Sequence, residues 1–416
     1  MEKNENKRVL LVGLDYGEID DIDYSMEELK GLSVAGNYCV IESITQKVDH
    51  HHNHTYVGSG KLLEIADFVK ENDIDVVIFN DELSPLQIRK IEEVIPCELL
   101  DRTLLILDIF SLRAKTKEAM LQVEIAKLQY LLPRLVGSRI NLDRQGGGFK
   151  NRGEGETKLE LDKRRIESQI HSKERILSRL VHDRKLSRKK RQKSGNKVIA
   201  LVGYTNAGKS TLMNCLLEKS NNDKAVFVKD MLFATLETKS RKIIFNNKKE
   251  AILTDTVGFV DKLPHQLVKA FRSTLEEVKE ADLLLHVIDY SNNSFDNQMQ
   301  TTIEVLADLE ANNIPILNVY NKVDKTNNTY PINKQNGVYI SAYLNEGIDL
   351  LLEEIEKRLY GDISIIDLKI PYSDGKIIDE VYNNYNIYKE NSTDEHLEIS
   401  IYVNKCDIEK FIDYQN

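Results

Sequence analysis

The chain is poor in cysteine and proline and has no long apolar run. Its four cysteines, Cys39, Cys97, Cys215 and Cys406, are scattered without CxxC spacing. Neither a disulfide framework nor a thiolate metal site is expected, and reduced thiols in a cytosol are. No apolar stretch approaches the ~18 residues of a membrane span, and the first eight residues, Met1 to Arg8, lack a secretory signal. There are only seven prolines, no low-complexity tract and no repeat, and the 41% hydrophobic, 30% charged composition is that of a soluble globular protein. The expected location is the cytoplasm, with a membrane-peripheral fraction allowed, and the expected state is a monomer. At 416 residues the chain is too long for one ordinary core. A formal net charge of −10 argues against indiscriminate nucleic-acid binding, although it leaves room for a local basic surface.

What is present starts with Gly203-Tyr204-Thr205-Asn206-Ala207-Gly208-Lys209-Ser210, a GxxxxGKS string followed by Thr211. The apolar run Val198 to Val202 in front reads as a buried strand, and Ser210 to Leu217 reads as a helix. In that context the glycines let backbone N–H groups turn toward phosphates, Lys209 reaches the outer phosphates, and the Ser210 hydroxyl suits Mg²⁺. Asn321-Lys322-Val323-Asp324 follows the strand-like Ile316 to Tyr320 and matches NKxD. A carboxylate at Asp324 can accept from guanine N1–H and its exocyclic amine. Adenine has no donor at either place and would leave the charge unpaired. Lys322 can lie over the nucleotide, Asn321 can tie this loop to the phosphate loop, and Ser341-Ala342-Tyr343 fits the remaining base-contacting turn.

Asp255-Thr256-Val257-Gly258 matches the DxxG turn, with Asp255 expected to hold Mg²⁺ through water and the Gly258 N–H to meet the γ-phosphate. Within Phe233-Ala234-Thr235-Leu236-Glu237, Thr235 is the candidate that closes on Mg²⁺ and γ-phosphate, with Thr238 a nearby competitor. The candidate catalytic groups are thus Lys209, Thr235 and Gly258, and the metal set is Ser210, Thr235 and Asp255. The residue after the DxxG glycine is Phe259, which cannot orient an attacking water as a glutamine does elsewhere, so slow hydrolysis awaiting a partner is expected. Asn206 is a candidate K⁺ ligand that would supply charge beside the phosphates.

From Lys158 to Lys197 basic residues outnumber acidic ones about threefold. Apolar residues recur there at Leu159, Ile166, Ile170, Leu177 and Leu180, and earlier at Leu121, Ile125, Leu128, Leu132 and Leu135. These periods predict an antiparallel helical hairpin, stripe against stripe, with charges outward. Its tip, Arg144 to Thr157, holds five glycines and is expected to be flexible in water. Arg144, Phe149, Lys150, Arg152, Arg164, Arg165, Arg188, Lys189, Lys190 and Arg191 are candidate RNA contacts, through charge and stacking. Before the hairpin, strands at Val9 to Val12, Cys39 to Ile41 and Asp75 to Phe79 alternate with helices near 25–35, 59–71 and 85–94. Gly58-Ser59-Gly60-Lys61 reads as a helix start, and His50 to His54 as an exposed loop lacking the cysteine or carboxylate set of a metal site. The expected fold class is multidomain α/β. An N-terminal α/β domain covers 1–113 and the hairpin 114–195; a Ras-like P-loop GTPase domain spans 196–360 and a small α+β domain 361–416.

Several stretches then point to a family. Leu100 to Phe110, Arg113-Ala114, Leu121-Gln122-Val123-Glu124, Gly155-Glu156-Thr157-Lys158-Leu159-Glu160 with Arg164-Arg165, and the phosphate loop resemble the HflX family of translational GTPases over nearly the whole chain. The switch segments at Phe233 to Leu236 and Asp255 to Phe259 are similar to that family's too. The sequence departs at Glu154, where proline is usual, at Lys158, where glutamine is usual, and at Leu236 to Lys239, where LDPT is usual. The resemblance implies GTP and GDP as ligands, hydrolysis stimulated by the large ribosomal subunit and its rRNA, and splitting or rescue of ribosomes. The other reading is an RNA-binding protein or remodeller in which GTP only regulates affinity.

Overall fold

The computed structural model describes residues 7–17, 21–49, 52–139, 152–192, 197–220, 239–245, 248–256, 258–260, 278–334, 336–393 and 395–415. They form two compact units, one reaching to Ser187 and one built from the strands beyond it.

The first unit centres on a four-stranded parallel sheet of order β2-β1-β3-β4, made by β1 (Lys7–Asp15), β2 (Tyr38–Lys47), β3 (Val76–Phe79) and β4 (Glu98–Asp101). Parallel strands are covered on both faces, and β1 and β3 are accordingly apolar runs with Val9 to Leu14 and Val76 to Phe79 buried. Helices α1 (Ile22–Ala35), α2 (Ser59–Glu71) and α3 (Pro85–Glu92) connect them, and α4 (Arg102–Arg113) follows β4. Ser59 opens α2, so Gly58 to Lys61 is a helix start as expected. Ser84 and Gln87 form a capping box before α3, with Pro85 in its first turn. His52 and His54 are exposed, and among the described residues no cluster of three or more His, Cys, Asp or Glu could hold a metal.

Two long helices follow, α5 (Lys117–Arg139) and α6 (Arg152–Gln192). Side-chain ties link them: Lys173 Nζ donates to Glu124 at 2.6 Å and Gln129 Nε2 to Glu174 at 3.3 Å. The expected seam is only part of the packing. Leu121, Ile125 and Ile170 are buried, whereas Leu128, Leu132, Ile166, Leu177 and Leu180 are half-buried. The other face of α5 is held by the N-terminal sheet domain. Tyr130 OH donates to Asp101 at 2.6 Å, Arg134 pairs with the same carboxylate, and Lys127 reaches Asp108 at 2.6 Å. Polar anchors of this kind leave no apolar period, so the sequence pattern does not announce them. The glycine-rich tip is also shorter than expected. Helix α6 already runs from Arg152, which puts Gly153 and Gly155 in its opening turns. A glycine costs a helix only about 1 kcal/mol, and the strong formers that follow sustain it. Residues 140–151 lie outside the described ones.

The second unit carries a seven-stranded sheet of order β10-β11-β9-β8-β5-β7-β6. Its strands are β5 (Lys197–Val202), β6 (Lys239–Ile244), β7 (Glu250–Asp255), β8 (Leu283–Asp289), β9 (Ile316–Asn321), β10 (Ile332–Lys334) and β11 (Gly337–Tyr339). The inner five are parallel, and the edge strands β6 and β10 run antiparallel to their neighbours. Helices α7 (Lys209–Lys219), α8 (Phe295–Asp308) and α9 (Ile348–Tyr360) belong to this fold. Leu212, Leu216, Leu351 and Ile355 close the core over Ile199, Leu201 and Leu285. A second, antiparallel sheet of order β12-β14-β13 comprises β12 (Ile363–Pro371), β13 (Asn386–Ser392) and β14 (His396–Asn404). Helix α10 (Gly375–Asn384) and a 3-10 helix (Lys405–Tyr414) complete this layer, with Val381, Tyr385 and Phe411 in its core.

The most consequential buried charge in the first unit is Asp101, whose side chain is 0% exposed and also caps the Leu104 and Leu83 N–H groups. Removing a buried partner strands the rest. Asp101→Ala is expected to cost about 3–5 kcal/mol, visible as loss of hydrogen-exchange protection across α5 before the second unit is affected.

Candidate nucleotide site

Because β5, β7, β8 and β9 are parallel, their C-terminal ends share one edge, and the motifs sit there. The loop from Gly203 to Gly208 links β5 to α7, whose start has no side-chain cap. Uncapped N–H groups and the positive end of the helix dipole therefore face the loop, as anion binding requires. Gly208 has φ 94° and a Cβ there would fall 2.3 Å from Asn321 Nδ2, so only glycine fits. Asn206 also takes a left-handed backbone, φ 61°, and its side chain is exposed.

Lys209 is 7% exposed, and its Nζ donates to the carbonyls of Gly203 at 2.9 Å and Tyr204 at 2.7 Å. Burial pushes its ammonium down to about 8; Asp255 opposes that shift and Lys322 adds to it. Asp255, fully buried at the end of β7, accepts from Ser210 Oγ at 2.7 Å. A hydroxyl beside a carboxylate is the oxygen donor set that Mg²⁺ takes when phosphates and waters complete its shell. Thr256 Oγ1 donates to the Leu201 carbonyl at 2.6 Å, holding the DxxG turn against β5. Phe259 N donates to Gly203 O at 3.1 Å and Thr205 N to Phe259 O at 2.7 Å, so this turn and the phosphate loop form one short ladder. A Cβ on Gly258 would come within 2.9 Å of Lys209 Nζ, which marks how closely that backbone approaches the site.

Asn321 assembles the base side. Its Nδ2 donates to Ala207 O at 2.9 Å and its Oδ1 accepts from Ala342 N at 2.9 Å. Ser341 Oγ donates to Asp324 Oδ1 at 2.6 Å, which sets the plane of that carboxylate. Val323 is buried beneath, and Tyr343 stands 83% exposed at the end of the Ser341-Ala342-Tyr343 turn. Sequence reasoning missed Asp289, at the end of β8, which accepts from Lys322 Nζ at 2.7 Å and from Ser291 Oγ at 2.6 Å. It thereby lays the Lys322 stem across the loop. An acidic residue closing the apolar strand Leu283 to Ile288 was the available signal. His286, on the same strand, is 2% exposed and pushed down to about 4 by burial, so it stays neutral beside Lys209.

The phosphate loop, the DxxG turn, the NKxD loop and the Ser341 turn are thus brought together. Phe233, Ala234, Thr235, Leu236, Glu237 and Val257 lie outside the described residues, as do Arg144, Phe149 and Lys150. Arg152 and Arg188 to Arg191 fall on α6, as do the exposed Arg164 and Arg165, Arg164 being paired with Glu160.

Comparison with known proteins identifies the family. A profile described as "GTP-binding GTPase N-terminal" matches residues 23–111, one described as "GTP-binding GTPase Middle Region" matches 113–191, and one described as "50S ribosome-binding GTPase" matches 198–322. A GTPase HflX from Caldanaerobacter subterraneus is 45% identical over 93% of this chain and 87% of its own length. The chain belongs to the HflX family of GTPases. A GTPase HflX of Escherichia coli is 38% identical over 92% of this chain and 90% of its own. Among solved structures, a GTP-binding protein from Sulfolobus solfataricus in complex with GDP has a TM-score of 0.44 and 25% identity, covering 85% of this chain and 98% of that one. This HflX-family chain is an enzyme that hydrolyses GTP. Among the described residues no helix is long and apolar enough to cross a membrane.

The depressed ammonium of Lys209 sets a pH dependence. Phosphates stabilise its charged form, so nucleotide binding below pH 8 needs no proton uptake, whereas above it binding must recruit a proton. GDP affinity is expected to fall by up to about tenfold per unit above pH 8, and calorimetry in two buffers should show proton uptake there. A flat profile would mean that the Lys209 charge is not engaged.

Proposed function

We propose that this chain binds guanine nucleotide at the edge described above and uses it to control docking on the large ribosomal subunit, leading to dissociation or rescue of ribosomes. The observation that carries the nucleotide reading is the pair of hydrogen bonds made by the Asn321 carboxamide, which sets Asp324 and the Ser341 turn in register with the phosphate loop. In this reading Asp324 accepts from guanine N1–H and N2–H₂, Lys322 and Tyr343 flank the base, and the Ala342 turn lies near O6. The N–H groups of residues 203–211 and Lys209 hold the phosphates. Ser210, Asp255 and Thr235 would hold Mg²⁺, which supplies charge neutralisation on the transferring phosphoryl group. Gly258 and Thr235 sense the γ-phosphate, and Asn206 would hold K⁺.

Phe259 is 1% exposed and its main chain is spent on the phosphate loop. No side chain at that position orients the water, so hydrolysis is slow until the ribosome completes the site. The ribosomal reading is supported by family membership, by the description of the profile over 198–322 and by α6. At 41 residues that helix is about 60 Å long, and it carries Arg152, Arg164, Arg165 and Arg188 to Arg191. With Arg144, Phe149 and Lys150 at the tip, it is suited to phosphate backbone and unstacked bases. We further assign four working parts, 1–113, 114–195, 196–360 and 361–416, with the second as the RNA-reaching element. The factor leaves after hydrolysis because only a difference in affinity between nucleotide states can drive such a cycle.

Two measurements test this. Asp324→Asn is expected to weaken GTP binding by at least tenfold and to favour xanthosine nucleotides; an unaltered base preference contradicts the assignment of Asp324. Large subunits are expected to raise GTP turnover well above the basal rate, and the GTP-loaded protein to move intact ribosomes toward subunits on a gradient. Binding without either effect favours a GTP-regulated RNA-binding protein instead.

A further inference from the structure

Beyond the nucleotide edge, the β6–β7 hairpin has a second attachment. In sequence it joins the segment around Thr235, an expected γ-phosphate sensor, to Asp255, an expected Mg²⁺ holder. Its far end is gripped by the C-terminal layer. Lys249 forms an ion pair with Asp407, on the C-terminal 3-10 helix, and Asp407 also accepts from Lys410 at 3.0 Å. Lys249 Nζ lies 5.5 Å from the ring centre of Tyr385 and 6.0 Å from that of Tyr360. Lys248 Nζ donates to Tyr382 O at 2.8 Å. From α9, Tyr360 OH donates to Glu250 O at 2.8 Å, and its ring meets Phe245 edge-on at 6.1 Å.

Asp407 is 6% exposed. Burial opposes its charge, yet the Lys249 and Lys410 ammonium groups hold its carboxyl below the usual carboxylate range. A largely buried pair flanked by aromatic faces is costly to open, because opening parts the Lys249 ammonium from its carboxylate. Strand β7 begins at Glu250, beside this pair, and ends at Asp255, five residues and about 17 Å away. A paired strand transmits an axial shift along its length far more readily than it stretches.

We propose that Lys249 and Asp407 are positioning residues for GTP hydrolysis, a latch through which the C-terminal layer sets the axial placement of β7 and hence of the Asp255 carboxylate. This rests on the reading of Asp255 as the carboxylate that holds Mg²⁺ through water, at the head of the turn whose Gly258 meets the γ-phosphate. Whatever moves the C-terminal layer then alters discrimination between GTP and GDP without touching the nucleotide, and by linkage the nucleotide state alters the layer.

The test uses the full chain with Lys249→Met, Asp407→Asn and the double variant. Affinities for GDP and for a non-hydrolysable GTP analogue, the basal kcat and Tm are measured for each. Each single variant is expected to change the ratio of the two affinities by about fivefold or more. The double should change it no more than the larger single, since both remove the same link, and preference for guanine over adenine should stay as it was. If Tm falls while ratio and kcat remain within about twofold, the pair is only adhesive and the proposal is overturned. Should one variant fail to fold, the other carries the test alone, and an unchanged ratio in it overturns the latch. Failure of the unaltered chain to bind guanine nucleotide would instead remove the functional reading itself.

Discussion

One carboxamide organises the second unit. Asn321 offers a donor and an acceptor on opposite sides of one planar group, and they join Ala207 to Ala342, loops 135 residues apart in sequence. Both bonds are buried, where a missing partner would be expensive, so the phosphate loop, the NKxD loop and the Ser341 turn hold their spacing together or not at all. Gly208 has no side chain because that amide occupies the space. Asp289 then takes up the Lys322 ammonium and prevents it from wandering.

The first unit uses polar anchors differently. Arg102, 2% exposed, is neutralised by Glu28 and donates to Asn80, while Asp101 gathers two backbone N–H groups, Tyr130 and Arg134. These groups fix one helix to the sheet at defined points rather than along a greasy stripe. Direction is thereby given to α5, and the links from its Glu124 and Gln129 to Lys173 and Glu174 pass that direction to α6.

Much of this was legible beforehand where a local rule suffices. The phosphate loop, NKxD and DxxG depend on short spacings, and α2 and α3 carry their own start signals at Ser59 and Ser84. Strand β1 is apolar from Val9 to Leu14 because helices bury that stretch. What escaped depends on distant partners. Strands β6, Lys239–Ile244, and β13, Asn386–Ser392, are edges with mixed polar sequences, and the apolar pattern assigns no element to them. The role of Asp289 needs Lys322, brought beside it by strand pairing, and the second face of α5 needs Asp101. The early start of α6 at Arg152 was hidden by glycines that a long helix tolerates near its end.

The placement of Phe259 has an engineering corollary. Its ring is packed away while its amide and carbonyl staple the turn to Gly203 and Thr205. Grafting a glutamine there, to imitate faster switch proteins, would not deliver a carboxamide to the hydrolytic water. It would strand one in the interior and loosen the staple, so faster hydrolysis cannot be engineered through the side chain at this position.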